Sequence, residues 1–240
     1  MAHTNGSIRG SWYPTRPKNQ PTRTCFEFDS IEDALEAFAR GEPIIVMDDE
    51  DRENEGDIIM SANMCTTEIM AWIIKHTSGF VCIALPQQRL DELEIPMMVA
   101  NNNERYRTAY ALTVDYKHGT TTGISASDRS LTARKLVDNR AIASDFARPG
   151  HMVPLRACDG GVFVRRGHTE CSVDLCMLTG HPLGGVLCEL VNDDIKGTMA
   201  RRDECRAFAD LWGLKMISVE MVVGYRKFIA NVPPVNPQNT

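Results

Sequence analysis

No stretch of this chain approaches the roughly 20 apolar residues that a membrane-spanning helix needs, and its first residues lack the apolar core of a secretory leader. No membrane partner is therefore expected. The eight cysteines include no C-x-x-C pair, and several, Cys82 among them, sit inside apolar runs. That spacing argues against a zinc ribbon or a thioredoxin-type motif and favours free buried thiols in a reducing cytoplasm. A dense Lys/Arg face is also missing: 26 basic residues stand against 32 acidic ones, for a net charge of −6. Nucleic acid has no electrostatic footprint to bind, so a small-molecule substrate fits better. No internal repeat is present.

What remains is an ordinary globular composition. At 240 residues and 43% hydrophobic content, the chain is long enough to bury one sizeable core. Residues 1–24, rich in Gly, Pro, Asn, Arg and Ser, read as a flexible N-terminal arm, residues 25–232 as a single catalytic domain, and residues 233–240 as a Pro/Asn-rich tail. Within the domain, helix and strand signals are mixed. Ser30 with Asp33 three residues on, followed by Ile31, Leu35 and Phe38, predicts a capped amphipathic helix ending at Gly41. Further helices are expected over 66–79, 127–137, 169–180 and 201–212, with a last one reaching Phe228. Strands are expected over 43–47, 58–61, 80–85, 109–115, 153–157, 162–165, 186–191 and 216–219. Residues 96–107, with Asn101-Asn102-Asn103 and two arginines, read as a mobile lid. The fold class is α/β, with α+β-like mixed sheets and surrounding helices, and periodicity leaves the strand order open.

The acidic run from Asp48 to Asp57 carries seven carboxylates in ten residues, pinned between two strand-like segments. Such a run is either a solvated face or a set of oxygen ligands. Clustered carboxylates repel unless a cation or basic groups compensate them, and oxygen donors suit a hard ion such as Mg²⁺ or Mn²⁺. A calcium loop would place Asp51, Glu53, Glu55 and Gly56 at its first, third, fifth and sixth positions. Its twelfth would then be Ala62, which has no carboxylate, so an EF-hand is excluded. The string Arg165-Arg166-Gly167-His168-Thr169-Glu170 falls where a strand gives way to a helix. There it reads either as a phosphate cradle built from Arg165, Thr169 and free helix amides, or as plain N-capping. His168 is a core histidine or a nitrogen ligand for a metal held by the acids. Arg148-Pro149-Gly150-His151 is a turn presenting one imidazole, structural or catalytic. Glu189, inside the apolar run 185–191, lies on a solvent face or is buried at a cost that would suit it to proton transfer.

Taken together, the strings DDEDRENEGD, HTSGFVCIALP, TTGISASDRSLTARKLVD, RPGHMVPLRA, RRGHTE and GVLCELVNDD, in this order over roughly residues 25–230, resemble the 3,4-dihydroxy-2-butanone 4-phosphate synthase family. The resemblance implies a homodimer with the family's own fold, a Mg²⁺- or Mn²⁺-dependent site holding two ions, and ribulose 5-phosphate as substrate. Its reaction removes a proton from C3, expels the C1 hydroxyl, migrates carbon and releases C4 as formate, for riboflavin synthesis. Carried over by position, Glu53 and His168 are metal ligands, and Arg52, Glu53, Asp57 and Thr122 touch the sugar. Arg165 and Thr169 hold the phosphate, and His151, Glu189 and Asp57 are catalytic, with Glu189 also touching substrate. Two positions depart from the family's habit: Arg166 stands for Gly, either crowding the cradle or pointing outward, and Cys171 stands for Ala. Many bacterial members continue into a cyclohydrolase domain; with this chain running to Thr240, a single activity is expected. A metal-dependent phosphosugar isomerase or aldolase, and a non-enzymatic metal-binding module, are the rival readings.

Overall fold

The protein is described here by a computed structural model covering residues 12–231. Residues 1–11 of the expected arm 1–24, and the whole of the expected tail 233–240, lie outside the described residues. Seven strands form one sheet: β1 (Ile44–Met47), β2 (Gly56–Ser61), β3 (Cys82–Pro86), β4 (Val114–Tyr116), β5 (Phe146–Ala157), β6 (Gly185–Glu189) and β7 (Met216–Ser218). Their spatial order is β4-β5-β3-β6-β2-β1-β7. The β1–β7 and β3–β5 pairs are parallel, and the other neighbours are antiparallel. Among the described residues, seven α-helices surround the sheet: α1 (Ile31–Ala39), α2 (Thr67–His76), α3 (Gln87–Glu92), α4 (Ala126–Leu136), α5 (His168–Leu178), α6 (Arg202–Trp212) and α7 (Val219–Asn231).

The central strands are apolar at nearly every position because both faces of the sheet are covered. Alternation then sorts their side chains into two cores. Ile45, Met47, Ile58, Met60, Ile83, Val186 and Cys188 face α2, α4 and α6. Ile44, Val46, Ile59, Cys82, Ala84 and Leu187 face α1, α5 and α7. Ser30 caps α1 as the sequence anticipates, its Oγ accepting from the Asp33 N–H at 3.1 Å, and in the structure the side chains of Thr66 and Ser125 cap α2 and α4 in the same way. The described part of the N-terminal arm lies against the body, with Trp12 edge-on to Trp72 at 5.6 Å and Arg23 paired with Asp210 at 2.8 Å.

Residues 87–92, for which the sequence set no expectation, form the short helix α3. Three expectations are corrected. Between 109 and 115 only the end is strand, because Tyr110 and Ala111 make isolated bridges and β4 begins at Val114. Residues 162–165 are not extended. Gly160 and Gly161 both take positive φ, and the Val162 N–H donates to Asp174 Oδ2 at 2.9 Å, which turns the chain into a 3₁₀ turn. Finally, β5 begins at Phe146 and already contains the Arg148–His151 turn.

Candidate active site

The alternation that places Ile59 and Leu187 beneath α5 also places Asp57 and Glu189 beneath its N-terminus, since each lies two residues away on the same strand face. The two are direct register partners across the β2–β6 pair. Cys82 of β3 and Leu155 of β5 continue this floor, and Arg52, Glu53, Glu55, Arg165, His168 and Thr169 wall it in one pocket. Of the residues singled out from sequence, Arg52, Glu53, Asp57, Arg165, His168, Thr169 and Glu189 therefore meet. His151 and Thr122 do not line this pocket. His151 lies four residues up β5 from Leu155, on the order of 13 Å along the strand.

The acidic run is a folded loop, compensated by arginines. Asp48 is buried, and its carboxylate accepts the backbone N–H groups of Glu53 (3.0 Å) and Glu55 (2.8 Å) and the Arg52 guanidinium (2.8 Å). Arg52 also pairs with Glu53 at 2.5 Å, while Arg201 donates to the Glu53 carbonyl at 2.8 Å. Asp48 thus sets the turn, which frees Glu53 to face His168.

His168 opens α5 and is buried. Its Nε2 lies 3.1 Å from the Val46 carbonyl, which can only accept, so Nε2 carries the hydrogen. Nδ1 then points at Glu53 Oε2 (3.6 Å) and Asp57 Oδ1 (3.8 Å). Burial opposes a charge on this ring, but the carboxylates of Asp57, Glu53 and Asp48 prevail and push its pKa up to about 9. Burial also works against ionisation of Glu53, yet the nearby His168 ring and the Arg52 cation hold it at about 2. Asp57 goes the other way. Burial, helped by the charges of Glu189, Glu53 and Glu55 and opposed by His168, raises it to about 7. Its Oδ1 is buried with no hydrogen-bond partner among the described residues. An imidazole nitrogen with a carboxylate on one side and an orphaned carboxylate oxygen on the other suits a hard divalent cation, and Asp48, Glu53 and His168 offer ligand atoms within 4.8 Å of one another.

The same pocket also carries anion-seeking groups. The first-turn N–H groups of α5 lack intrahelical acceptors, and Thr169 sits there, buried. Arg165 lies across this end of α5, bonded to Glu170 Oε2 (2.6 Å), Thr108 Oγ1 (3.1 Å) and the Tyr106 carbonyl (3.2 Å). A side chain at Gly167 would press on that guanidinium and displace it from this position. Arg166 points outward and pairs with Glu220 at 2.6 Å, so the departure at this position leaves the cradle open. The segment expected to be a lid bridges both arginines: the Tyr106 hydroxyl donates to the Arg52 carbonyl at 2.8 Å, and its own carbonyl accepts from Arg165.

Glu189 is not enclosed by its apolar neighbours. It ends β6, partly exposed, and Ser78 Oγ donates to its Oε2 at 2.7 Å. Sequence reasoning did not single out Glu55, Cys82, Thr108 or Tyr110, all of which line the pocket. Only Glu55 had a local signal, as a member of the acidic run. Burial pushes the Cys82 thiol well above its ordinary range and the Tyr110 hydroxyl up to about 12, so both line the wall in neutral form.

The sequence model of the family described as 3,4-dihydroxy-2-butanone 4-phosphate synthase matches residues 32–225. The synthase of Schizosaccharomyces pombe is 54% identical over 82% of this chain and 97% of its own length. That of Agrobacterium fabrum is 52% identical over 82% of this chain and 92% of its own. Among solved structures, a synthase in complex with two magnesium ions superposes with a TM-score of 0.82 at 45% identity, covering 85% of this chain and 99% of its own. A cation-free form gives 0.79 at 44% identity over 85% of this chain and 100% of its own. With the acidic loop, the arginine cradle and the paired Asp57 and Glu189 on the strands where this match runs, the chain belongs to the 3,4-dihydroxy-2-butanone 4-phosphate synthase family.

Proposed function

We propose that this chain is a divalent-cation-dependent lyase that converts ribulose 5-phosphate into formate and 3,4-dihydroxy-2-butanone 4-phosphate for riboflavin synthesis. The observation that carries this reading is one pocket that brings anion-seeking and proton-handling groups together: Arg165 and the α5 N-terminus with Asp57 and Glu189.

Arg165, Thr169 and the free amides of α5 hold the phosphate, and this remote binding orients the reacting carbons. Glu53 and His168 Nδ1 would hold Mg²⁺ or Mn²⁺, two ions per site, with His168 Nε2 tied to Val46 so that only Nδ1 is presented. When bound, the cation supplies positive charge beside the sugar oxygens on which negative charge develops. Glu189, fixed through one oxygen by Ser78, takes the C3 proton with the other. Asp57, at about 7, is about half protonated at neutral pH, and in that form can pass its proton to the departing C1 hydroxyl. Tyr106, joined to both arginines, would shut the pocket and keep water from the later intermediates.

The His151 imidazole and Thr122 lie outside this pocket, so we assign the active enzyme as a homodimer in which the partner subunit's His151 and the partner's Thr122 reach it. Phe80, packed on the pocket's Tyr110 at 6.5 Å, and Ile124, next to Gly123, are each about half exposed and offer apolar surface for such an interface. All eight cysteines are free thiols, as suits an enzyme working in a reducing cytoplasm.

The test is ribulose 5-phosphate turnover read as formate, with Mg²⁺, with EDTA, and for Glu53→Gln. Formate should appear only for wild type with metal, while the Glu53→Gln protein stays folded. Substrate consumption without formate would show an isomerase or aldolase instead, and metal binding without turnover a non-enzymatic module.

A further inference from the structure

Asp115 and His151 lie where β4 and β5 fall out of register. Val114 pairs with Met152, but the next residue, Asp115, pairs with Ala147, so Arg148–His151 bulge outward with no partner on β4. A bulge of this kind re-aims the side chains it carries. It is possible here because residue 150 is glycine: a Cβ there would run into the Val114–Asp115 peptide. The Gly150 N–H donates to Thr113 Oγ1 at 3.1 Å, anchoring the turn.

Asp115 clamps the far side of this bulge. One carboxylate oxygen accepts the His151 backbone N–H at 2.8 Å, and the other lies 2.6 Å from His151 Nδ1. A carboxylate only accepts, so Nδ1 carries the hydrogen. Nε2 has no hydrogen-bond partner among the described residues. The two side chains differ in exposure, 13% for Asp115 and 41% for His151, so the acid is covered while the ring projects.

The loop Thr121–Gly123 closes over the pair. Gly123 has φ +97°, and a side chain there would strike both Asp115 Oδ2 and His151 Nδ1. Asp128, itself buried, holds the loop in place by accepting from the Gly123 N–H (3.0 Å), the Thr121 N–H (3.1 Å) and Thr121 Oγ1 (2.7 Å). Three separate segments thus converge on one carboxylate and the single imidazole nitrogen it holds.

We propose that Asp115 is a positioning residue for the reaction: it fixes the orientation of the His151 ring and its Nδ1–H tautomer, so that Nε2 is the nitrogen that exchanges a proton with substrate. The inference rests on the assignment of His151 to the chemistry given above. A hydrogen-bonded acid behind an imidazole does this by making one tautomer fit and the other not. In Asp115→Asn the single amide oxygen stays with the His151 backbone N–H, and the NH₂ group faces Nδ1. Nδ1 must then accept, and the ring hydrogen moves to Nε2.

The experiment uses the full-length Mg²⁺ enzyme, formate-based kinetics, and ¹⁵N NMR of histidine-labelled protein, with the His151 signals identified by their loss in His151→Ala. Expected are Nδ1–H in wild type, Nε2–H in Asp115→Asn, and a kcat for the variant lower by about 10²-fold or more with KM within about threefold. Unchanged kcat in Asp115→Asn, or a change in KM alone, overturns the proposal. So does a wild-type ring protonated on Nε2 and bare on Nδ1, a measurement that decides the matter even if the variant fails to fold. Full activity in His151→Ala would remove the underlying assignment, whereas an inactive His151→Ala beside a fully active Asp115→Asn removes the positioning role alone.

Discussion

The floor of the pocket and the β4–β5 edge handle ionisable groups in opposite ways. At the floor, Asp57, His168 and Glu53 are packed among one another with little solvent, and their mutual fields spread their protonation over several pH units, from about 2 for Glu53 to about 9 for His168. At the edge, His151 is largely exposed and its carboxylate partner acts through direction and tautomer. Burial tunes charge where the reacting oxygens would be held, whereas an exposed imidazole needs only to be aimed.

The largest effect should come from the floor. Glu189→Gln keeps the shape and the Ser78 contact but removes the proton acceptor, and kcat should fall by roughly 10²- to 10⁴-fold with the fold intact. Near-normal turnover, read as formate release, would reduce Glu189 to a structural strand end. The next test breaks the comparison directly. If floor and edge belong to different subunits of one site, mixing and reassociating inactive Glu189→Gln and inactive His151→Ala should recover about a quarter of wild-type activity, because half of the dimers then carry one intact site. No recovery in a reassociated mixture would place both groups in the same subunit's site or deny the edge a part.

A smaller effect is expected at the anion-seeking groups. Arg165→Ala should raise KM by about 10- to 100-fold and lower kcat less, as a charge-assisted bond to phosphate is made before the chemistry begins. An unchanged KM would move the phosphate elsewhere. The smallest concerns stability without metal. The folded-state pKa of His168, about 9, lies above its ordinary 6.5, so the native state holds the proton more tightly, and the stabilisation is complete below 6.5 and lost as pH rises through 9. Asp57, raised from 3.8 to about 7, also binds protons more tightly when folded, so stability falls as pH rises across that lower window too. In EDTA, the urea midpoint should therefore decline from pH 6.5 to 9, and His168→Gln should flatten the decline. A level profile for the wild type would contradict the buried acid–imidazole cluster.

The sequence by itself determined the strands flanking the acidic run, the cap at Ser30 and the start of α5 at the Arg165–Glu170 string, while its resemblance to the family supplied most of the residues that line the pocket. The first three are local properties: a side-chain oxygen reaches an amide three residues on, an apolar run needs cover, and a helix start leaves its N–H groups unpaired. Tertiary structure alone decided the rest. Asp57 and Glu189 meet because β2 and β6, far apart in the chain, pair in a register that periodicity cannot supply. The same pairing buries Asp57 and lifts its pKa, while Glu189, one strand over at the sheet's end, stays accessible. The Asp115–His151 clamp depends on a bulge across the β4–β5 pair, and Arg166 turns outward only because α7 brings Glu220 within reach. Contacts between distant segments follow from how the strands pair and which faces they bury, and no window of neighbouring residues records that choice.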